Sequence, residues 1–276
     1  MTMNLQHKLA ELTKAHKAIL AVNFYNFETL SGILKASKAM NEPVILQLSE
    51  STINYLGLKM AAGLARKGLE QYGVTGWLHL DHGGSVELVK RCLDEGFDSV
   101  MIDASEKPFD ENVRTTLEVM KLAEKYHANV EAELGYVAKL GQQQNTAVFT
   151  QPEEVKLFTD LTGVNALAIA IGSAHGFYKS TPVLQIELLK KIREATDTAL
   201  VLHGGSGIPD IQIKQAVQAG ISKINLATET KNIFMKTLKE ILASTDVIDL
   251  RKVFPKAIDA VEALISSKIK MINSAE

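Results

Sequence analysis

Eight short runs rich in apolar and β-branched residues recur along the chain, each bounded by Gly, Pro, Asn or Asp. They are AILAVNF (18–24), PVILQLS (43–49), GWLHLDH (76–82), SVMIDAS (99–105), NVEAELG (129–135), ALAIAIG (166–172), ALVLHGG (199–205) and KINLAT (223–228). Continuous runs of this kind are the pattern of strands covered on both faces, as in a parallel sheet. Most pairs are separated by enough chain for a crossover helix. Segment 111–126 repeats apolar residues at helical spacing through Val113, Leu117, Met120 and Ala123, and segment 182–195 does so through Leu184, Leu188 and Ile192. Eight such units predict one α/β domain over 1–276, a (β/α)8 TIM barrel, because right-handed parallel units close on themselves and leave no edge to protect. The alternative is an open doubly wound sheet, whose first strand normally leads into a G-x-G-x-x-G turn; here that turn reads NFYNFETL (23–30), without glycine. An amphipathic segment from about 250 to 271 follows the eighth unit as a C-terminal helical extension, expected to pack on the barrel or on a neighbouring subunit.

Composition narrows the class. Of 276 residues, 46% are hydrophobic and 22% charged, which supports a closed core and excludes intrinsic disorder. Thirty basic against thirty-two acidic residues leave a net charge of −2, so no basic field attracts nucleic acid or an anionic membrane, and an anionic ligand has to be held locally. The single cysteine, Cys92, excludes an intrachain disulfide and a multi-cysteine metal cluster and fits a reducing cytosol. The opening segment MTMNLQHKLAELTKAHK carries charges throughout, and no apolar run approaches the roughly 18 residues of a membrane span. A soluble, cytoplasmic protein is expected.

In a barrel of this kind, polar groups at strand C-termini face the catalytic mouth. Asn23, Ser49, Asp81, His82, Asp103, Glu133, His203, Asn225 and Thr228 all fall at such ends, and His175 follows the sixth strand in IGSAHG. A lone histidine is more often a hydrogen-bonded structural residue, and that reading holds for His7, His16, His79 and His127. Three on one rim are different. His82, His175 and His203 offer three imidazoles with an open fourth position, the ligand set of a catalytic Zn2+ that polarises a bound carbonyl. Asp81 is placed to move a proton at a substrate hydroxyl, or else to orient a metal ligand. Asp103 and Glu133 hold a second cation or act as hydrogen-bonding partners on the rim. HGGSGIPD (203–210) and NLATET (225–230) each lead a strand into a helix N-terminus, and their position after strands seven and eight suits phosphate bound by backbone N–H groups.

The ordered motifs LHLDHG, VMIDAS, VEAELG, AIAIGSAHG, LVLHGGSGIP and INLATE resemble those of class II, zinc-dependent ketose-bisphosphate aldolases over nearly the whole chain. The resemblance implies reversible aldol cleavage of a ketose phosphate, in carbohydrate metabolism, to dihydroxyacetone phosphate and an aldehyde. It implies zinc on His82, His175 and His203, with Asp81 as proton donor to the aldehyde oxygen. Asp103 and Glu133 match a second, non-catalytic position for a divalent or monovalent cation. Gly176, Gly204, Gly205, Ser206, Asn225, Leu226, Ala227 and Thr228 would hold dihydroxyacetone phosphate, and Ser49 would lie near the aldehyde half. A homo-oligomer, dimer or tetramer, is expected.

Three features depart from the family. YVAKLGQQQN (136–145) lacks the loop carboxylate that exchanges the proton of dihydroxyacetone phosphate, leaving Glu133 and Tyr136 as substitutes. NLAT carries Ala227 where fructose-bisphosphate enzymes often have Asp, a form closer to tagatose-bisphosphate aldolases. MIDASEKPF replaces the usual MIDGSHLPF. Three other classes compete with this one: a Schiff-base aldolase, for which the sixth strand supplies no lysine; a metal-dependent hydrolase, for which the first strand lacks paired histidines; and a non-catalytic structural partner of another aldolase.

Overall fold

The computed structural model describes residues 4–135, 149–176, 178 and 180–274. Its eight strands are β1 (Ile19–Asn23), β2 (Val44–Ser49), β3 (Gly76–Gly83), β4 (Ser99–Ile102), β5 (Asn129–Leu134), β6 (Ala166–Ile169), β7 (Ala199–Leu202) and β8 (Ile221–Leu226). They pair in parallel and in sequence order, and β1 closes on β8 through Ala21 opposite Asn225. The TIM barrel anticipated from the chain pattern is therefore the fold.

Each strand alternates between two environments, with a period of two residues. Outward residues such as Leu20, Val22, Leu46, Leu48, Leu78, Leu80 and Val130 pack in one continuous cluster under the helices. The inward face changes character with height. At the N-terminal end it is apolar, where Ile19, Ile45, Trp77, Ala166, Ala168 and Ala199 cluster with Leu5, Leu9 and Leu12 of α1 (Leu5–Lys14). That helix starts on an Asn4 side chain that accepts from Gln6 N, and it plugs the barrel floor. One layer up, the interior carries Gln47, His79, Glu131 and Lys223, all buried, and above them Asn23, Asp81, Glu133, His203 and Asn225 approach the mouth.

The outer ring comprises α2 (Phe27–Met40), α3 (Glu50–Leu56), α4 (Leu58–Tyr72), α5 (Val86–Asp94), α6 (Phe109–Glu124), α7 (Pro152–Thr162), α8 (Ile186–Ala195), α9 (Asp210–Gln218) and α10 (Thr228–Leu242). Two of these bear on the helices predicted from periodicity. The first begins two residues earlier than predicted, after Pro108 at its N-cap, and the second begins at Ile186, since 182–185 forms no regular element. The C-terminal extension is α11 (Leu250–Asn273), and it packs on its own barrel. A Cβ added at Gly32 of α2 would meet Val261 Cβ at 2.7 Å, and Lys35 pairs with Asp259 at 3.1 Å. Among the described residues no helix is long and apolar enough to cross a membrane.

Candidate active site

Strict alternation would turn His82 away from the mouth, because its neighbours Asp81 and His79 point inward. A register shift between Leu80 and Gly83 in the β3–β4 pairing, with His82 at φ 51°, breaks the alternation and brings two consecutive polar side chains to one side. His203 continues the inward face of β7, and Gly204 turns the chain immediately after it at φ 64°. His175 stands on the loop after β6. The three rings converge edge to face, with centroids 4.9 Å (His82–His175), 4.7 Å (His82–His203) and 5.7 Å (His175–His203) apart. One ligand atom from each lies within 4.8 Å of the others.

Carboxylates behind the rings decide which nitrogen of two of them faces the centre. His82 Nδ1 is 2.7 Å from Asp103 Oδ2, so it carries the proton and leaves Nε2, which is buried without a hydrogen-bond partner among the described residues, directed inward. His203 is arranged the opposite way: Nε2 is 2.9 Å from Glu131 Oε1, and Nδ1 faces the centre, 3.3 Å from Glu133 Oε2. Burial works against charge on either ring. Even so, the Asp103 hydrogen bond raises His82, and Glu131 with Glu133 pushes His203 up to about 10. Imidazole nitrogens turned to one point with carboxylates around them form a centre suited to a divalent cation. The donor set, imidazole nitrogen with carboxylate oxygen nearby, fits zinc.

Asp81 is 8% exposed and accepts from Asn23 Nδ2 at 2.8 Å on one oxygen and from Asn225 Nδ2 at 3.4 Å on the other. Burial alone would raise its pKa, but His82, His203, the Asn23 hydrogen bond and Lys223 together hold it below the usual carboxylate range. Asp81 is thus held ionised at the mouth. Asp103 also accepts from Ser105, so it serves as the partner of His82 here, while His82, Asp103 and Glu133 form a second group of potential ligands within 4.8 Å.

The loops after β7 and β8 are tied together. Gly205 N donates to Asn225 O (3.1 Å), Glu229 N to Ser206 Oγ (3.2 Å) and Gly207 N to Glu229 Oε1 (2.8 Å). Tyr178 joins the loop after β6 to this assembly, accepting from Ala174 N at 2.7 Å and donating to Gly204 O at 2.9 Å. Thr228 opens α10 at the mouth, and Gly176 (φ 110°) follows His175. Leu226 differs: its side chain belongs to the layer between barrel and helices, so only its backbone is available. Ser49 caps β2 opposite Asp81 and bonds Ser51 and Thr52. The loop 136–145, including Tyr136, lies outside the described residues.

Sequence reasoning passed over Glu131 and Lys223. Both were legible from the strand period, since Glu133 inward implies Glu131 inward, and Asn225 implies Lys223. The interior lysine that β6 lacks is supplied by β8. Its ammonium is 2.8 Å from Glu131 Oε2 and 2.9 Å from Asn225 Oδ1 and is 1% exposed, so it is a paired cation and not an available amine.

A family model described as "Fructose-bisphosphate aldolase class-II" matches residues 3–276. A fructose-bisphosphate aldolase of Geobacillus stearothermophilus is 38% identical over 99% of this chain and 97% of its own. A probable fructose-bisphosphate aldolase of Bacillus subtilis is also 38% identical, over 94% and 93%. Among solved structures, the YdjI aldolase of Escherichia coli K12 superposes with a TM-score of 0.89 at 32% identity, covering 100% of this chain and 98% of that one.

Proposed function

Because this chain belongs to the class II fructose-bisphosphate aldolase family, whose members are zinc-dependent aldehyde-lyases, we propose that it cleaves a tagatose-type ketose phosphate at the cluster of His82, His175 and His203. The observation that carries this reading is the convergence of these three imidazoles beside a carboxylate, Asp81, that is held ionised. Zinc bound there supplies Lewis-acid polarisation of the substrate carbonyl. Asp81 takes the proton from the C4 hydroxyl as the C3–C4 bond breaks and the C4 oxygen becomes a carbonyl; in condensation it returns that proton to the aldehyde oxygen. The electron pair of the broken bond stays on C3, which must gain a proton. Glu133, buried beside His203, is the described carboxylate nearest that task if it does not ligate metal.

The loops of Gly204, Gly205 and Ser206 and of Asn225 to Thr228 hold the phosphate through backbone N–H groups and the α10 N-terminus, with Gly176 closing the third side. Ala227 puts a methyl group where fructose-type enzymes often carry a carboxylate, which favours the tagatose configuration. Ser49, adjacent to Asp81, meets the aldehyde half, and Asp103 with Glu133 offers a second cation position. A panel of ketose phosphates assayed for dihydroxyacetone phosphate release, with and without chelator, tests the reading. Chelator-sensitive turnover fastest on a tagatose phosphate is expected. Chelator-insensitive turnover, or faster turnover of the fructose isomer, rejects the corresponding half.

A further inference from the structure

Beneath the histidine cluster lies a charged layer that the reaction scheme leaves unused. Lys223, Glu131 and His79 are each at most 1% exposed, sealed from below by the Trp77 and α1 layer. Ion pairs this deep are costly to desolvate and are often matched in stability by apolar residues of similar volume, so cohesion alone is a weak reason for one. The connections out of this pair lead to the two reacting halves of the site. Glu131 divides its oxygens, Oε2 toward Lys223 (2.8 Å) and Oε1 toward His203 Nε2 (2.9 Å). Lys223 divides its donors between Glu131 and Asn225 Oδ1 (2.9 Å).

Each link has a direction. An ionised carboxylate only accepts, so His203 must carry its proton on Nε2 and turn Nδ1 to the metal position. An ammonium only donates, so Asn225 must present its oxygen to Lys223 and its amide N–H to Asp81, 3.4 Å away. Asn23 is oriented in the same manner from the other side, because Gln47 Nε2 donates to its Oδ1 at 3.1 Å and leaves its amide N–H for Asp81 at 2.8 Å. His79, 3.8 Å from Glu131 Oε2, bonds Ser99 through Nδ1 (2.7 Å) and among the described residues sends no hydrogen bond toward the mouth.

We infer that Lys223 is a positioning residue which, through Glu131 and Asn225, fixes the ring nitrogen that His203 offers to the metal and the N–H that Asn225 offers to Asp81. One buried cation thereby sets the polarity of a metal ligand and of the proton-transfer group together. The inference rests on the functional reading above, and its test separates the two. Zinc binding and cleavage by the unaltered protein test that reading alone; the contrast with variants tests Lys223.

The first measurement needs no variant. In zinc-loaded protein carrying 15N-histidine, long-range 1H–15N spectra should show His203 protonated at Nε2, and a His203 protonated at Nδ1 overturns the inference. The second compares Lys223→Met, close in length but uncharged, with Lys223→Met combined with Glu131→Gln, which removes both charges and avoids a lone buried anion. Zinc affinity by chelator competition should fall about 10- to 100-fold in whichever of the two folds, as for loss of other groups that orient metal ligands. At saturating zinc, kcat should still fall while KM changes little, because the Asp81 donor is lost. A folded variant with zinc affinity within twofold of the unaltered protein and an unchanged kcat overturns it, since a purely structural pair would alter only the melting transition.

Discussion

The substitution Gly204→Ala probes how tightly the loops after β6 and β7 are locked. At φ 64° an alanine adopts the left-handed conformation at a cost of about 1–2 kcal/mol. Its Cβ would also stand 2.3 Å from Ala174 O and 2.6 Å from Ala174 C. Those are backbone atoms, so no side chain can swing aside, and the gap must open by roughly 1 Å to reach ordinary contact. Forcing atoms into a packed site adds about 1–3 kcal/mol. The two terms together predict a loss of about 2–5 kcal/mol. Gly73 is the matched control: it sits at φ 66° with nothing within 4 Å of an added Cβ, so Gly73→Ala carries only the conformational cost of about 1–2 kcal/mol. Ala174 immediately precedes His175, so the same opening displaces a proposed metal ligand, and a shift near 1 Å is expected to weaken function by about 10²-fold. Denaturant unfolding of both variants, with zinc affinity by chelator competition, provides the assay. If Gly204→Ala proves no less stable than Gly73→Ala and binds zinc normally, the Gly204–Ala174 contact does not position the site.

The other expectations follow from single contacts. Asp81→Asn should fold and keep zinc while losing about 10²- to 10⁴-fold in turnover, and near-normal turnover would reduce Asp81 to an orienting residue. His203→Ala should abolish tight zinc binding; full metal occupancy in that variant would remove His203 from the ligand set. Asp103→Asn replaces the carboxylate 2.7 Å from His82 Nδ1 and should weaken zinc about 10- to 100-fold, read by competition titration. Isotope exchange from solvent into dihydroxyacetone phosphate should slow markedly in Glu133→Gln, whereas fast exchange persisting there places the base elsewhere.

The eight strand runs were legible because burial on both faces writes an unbroken apolar signature, and seven of the eight carry at least one polar residue near their mouth end. The convergence of His82, His175 and His203 could be read from barrel topology, since residues far apart in sequence share a rim once the sheet closes. What stayed hidden was directional. Nothing in LHLDHG announces the register shift that turns His82 beside Asp81, because a bulge depends on the partner strand. The choice of ring nitrogen depends on carboxylates behind the rings, Asp103 for His82 and Glu131 for His203, and Glu131 inside an apolar run looks like an interruption until the period is followed inward. The floor helix α1 was invisible for a related reason: its Leu5, Leu9 and Leu12 stripe resembles that of any surface helix, and only the open end of the barrel gives it a partner.

That floor has a consequence for exchange with the surroundings. With Leu5, Leu9, Leu12 and Trp77 packed beneath the barrel, the described residues leave the Lys223–Glu131 stratum facing upward, toward the mouth where the sugar phosphate is proposed to bind. A substrate bound there would act as a stopper over the charges proposed to organise its conversion. Between arrival and release the stratum should trade no protons with bulk solvent, and deuterium uptake at the Lys223 ammonium and the His203 ring should slow when the mouth is filled.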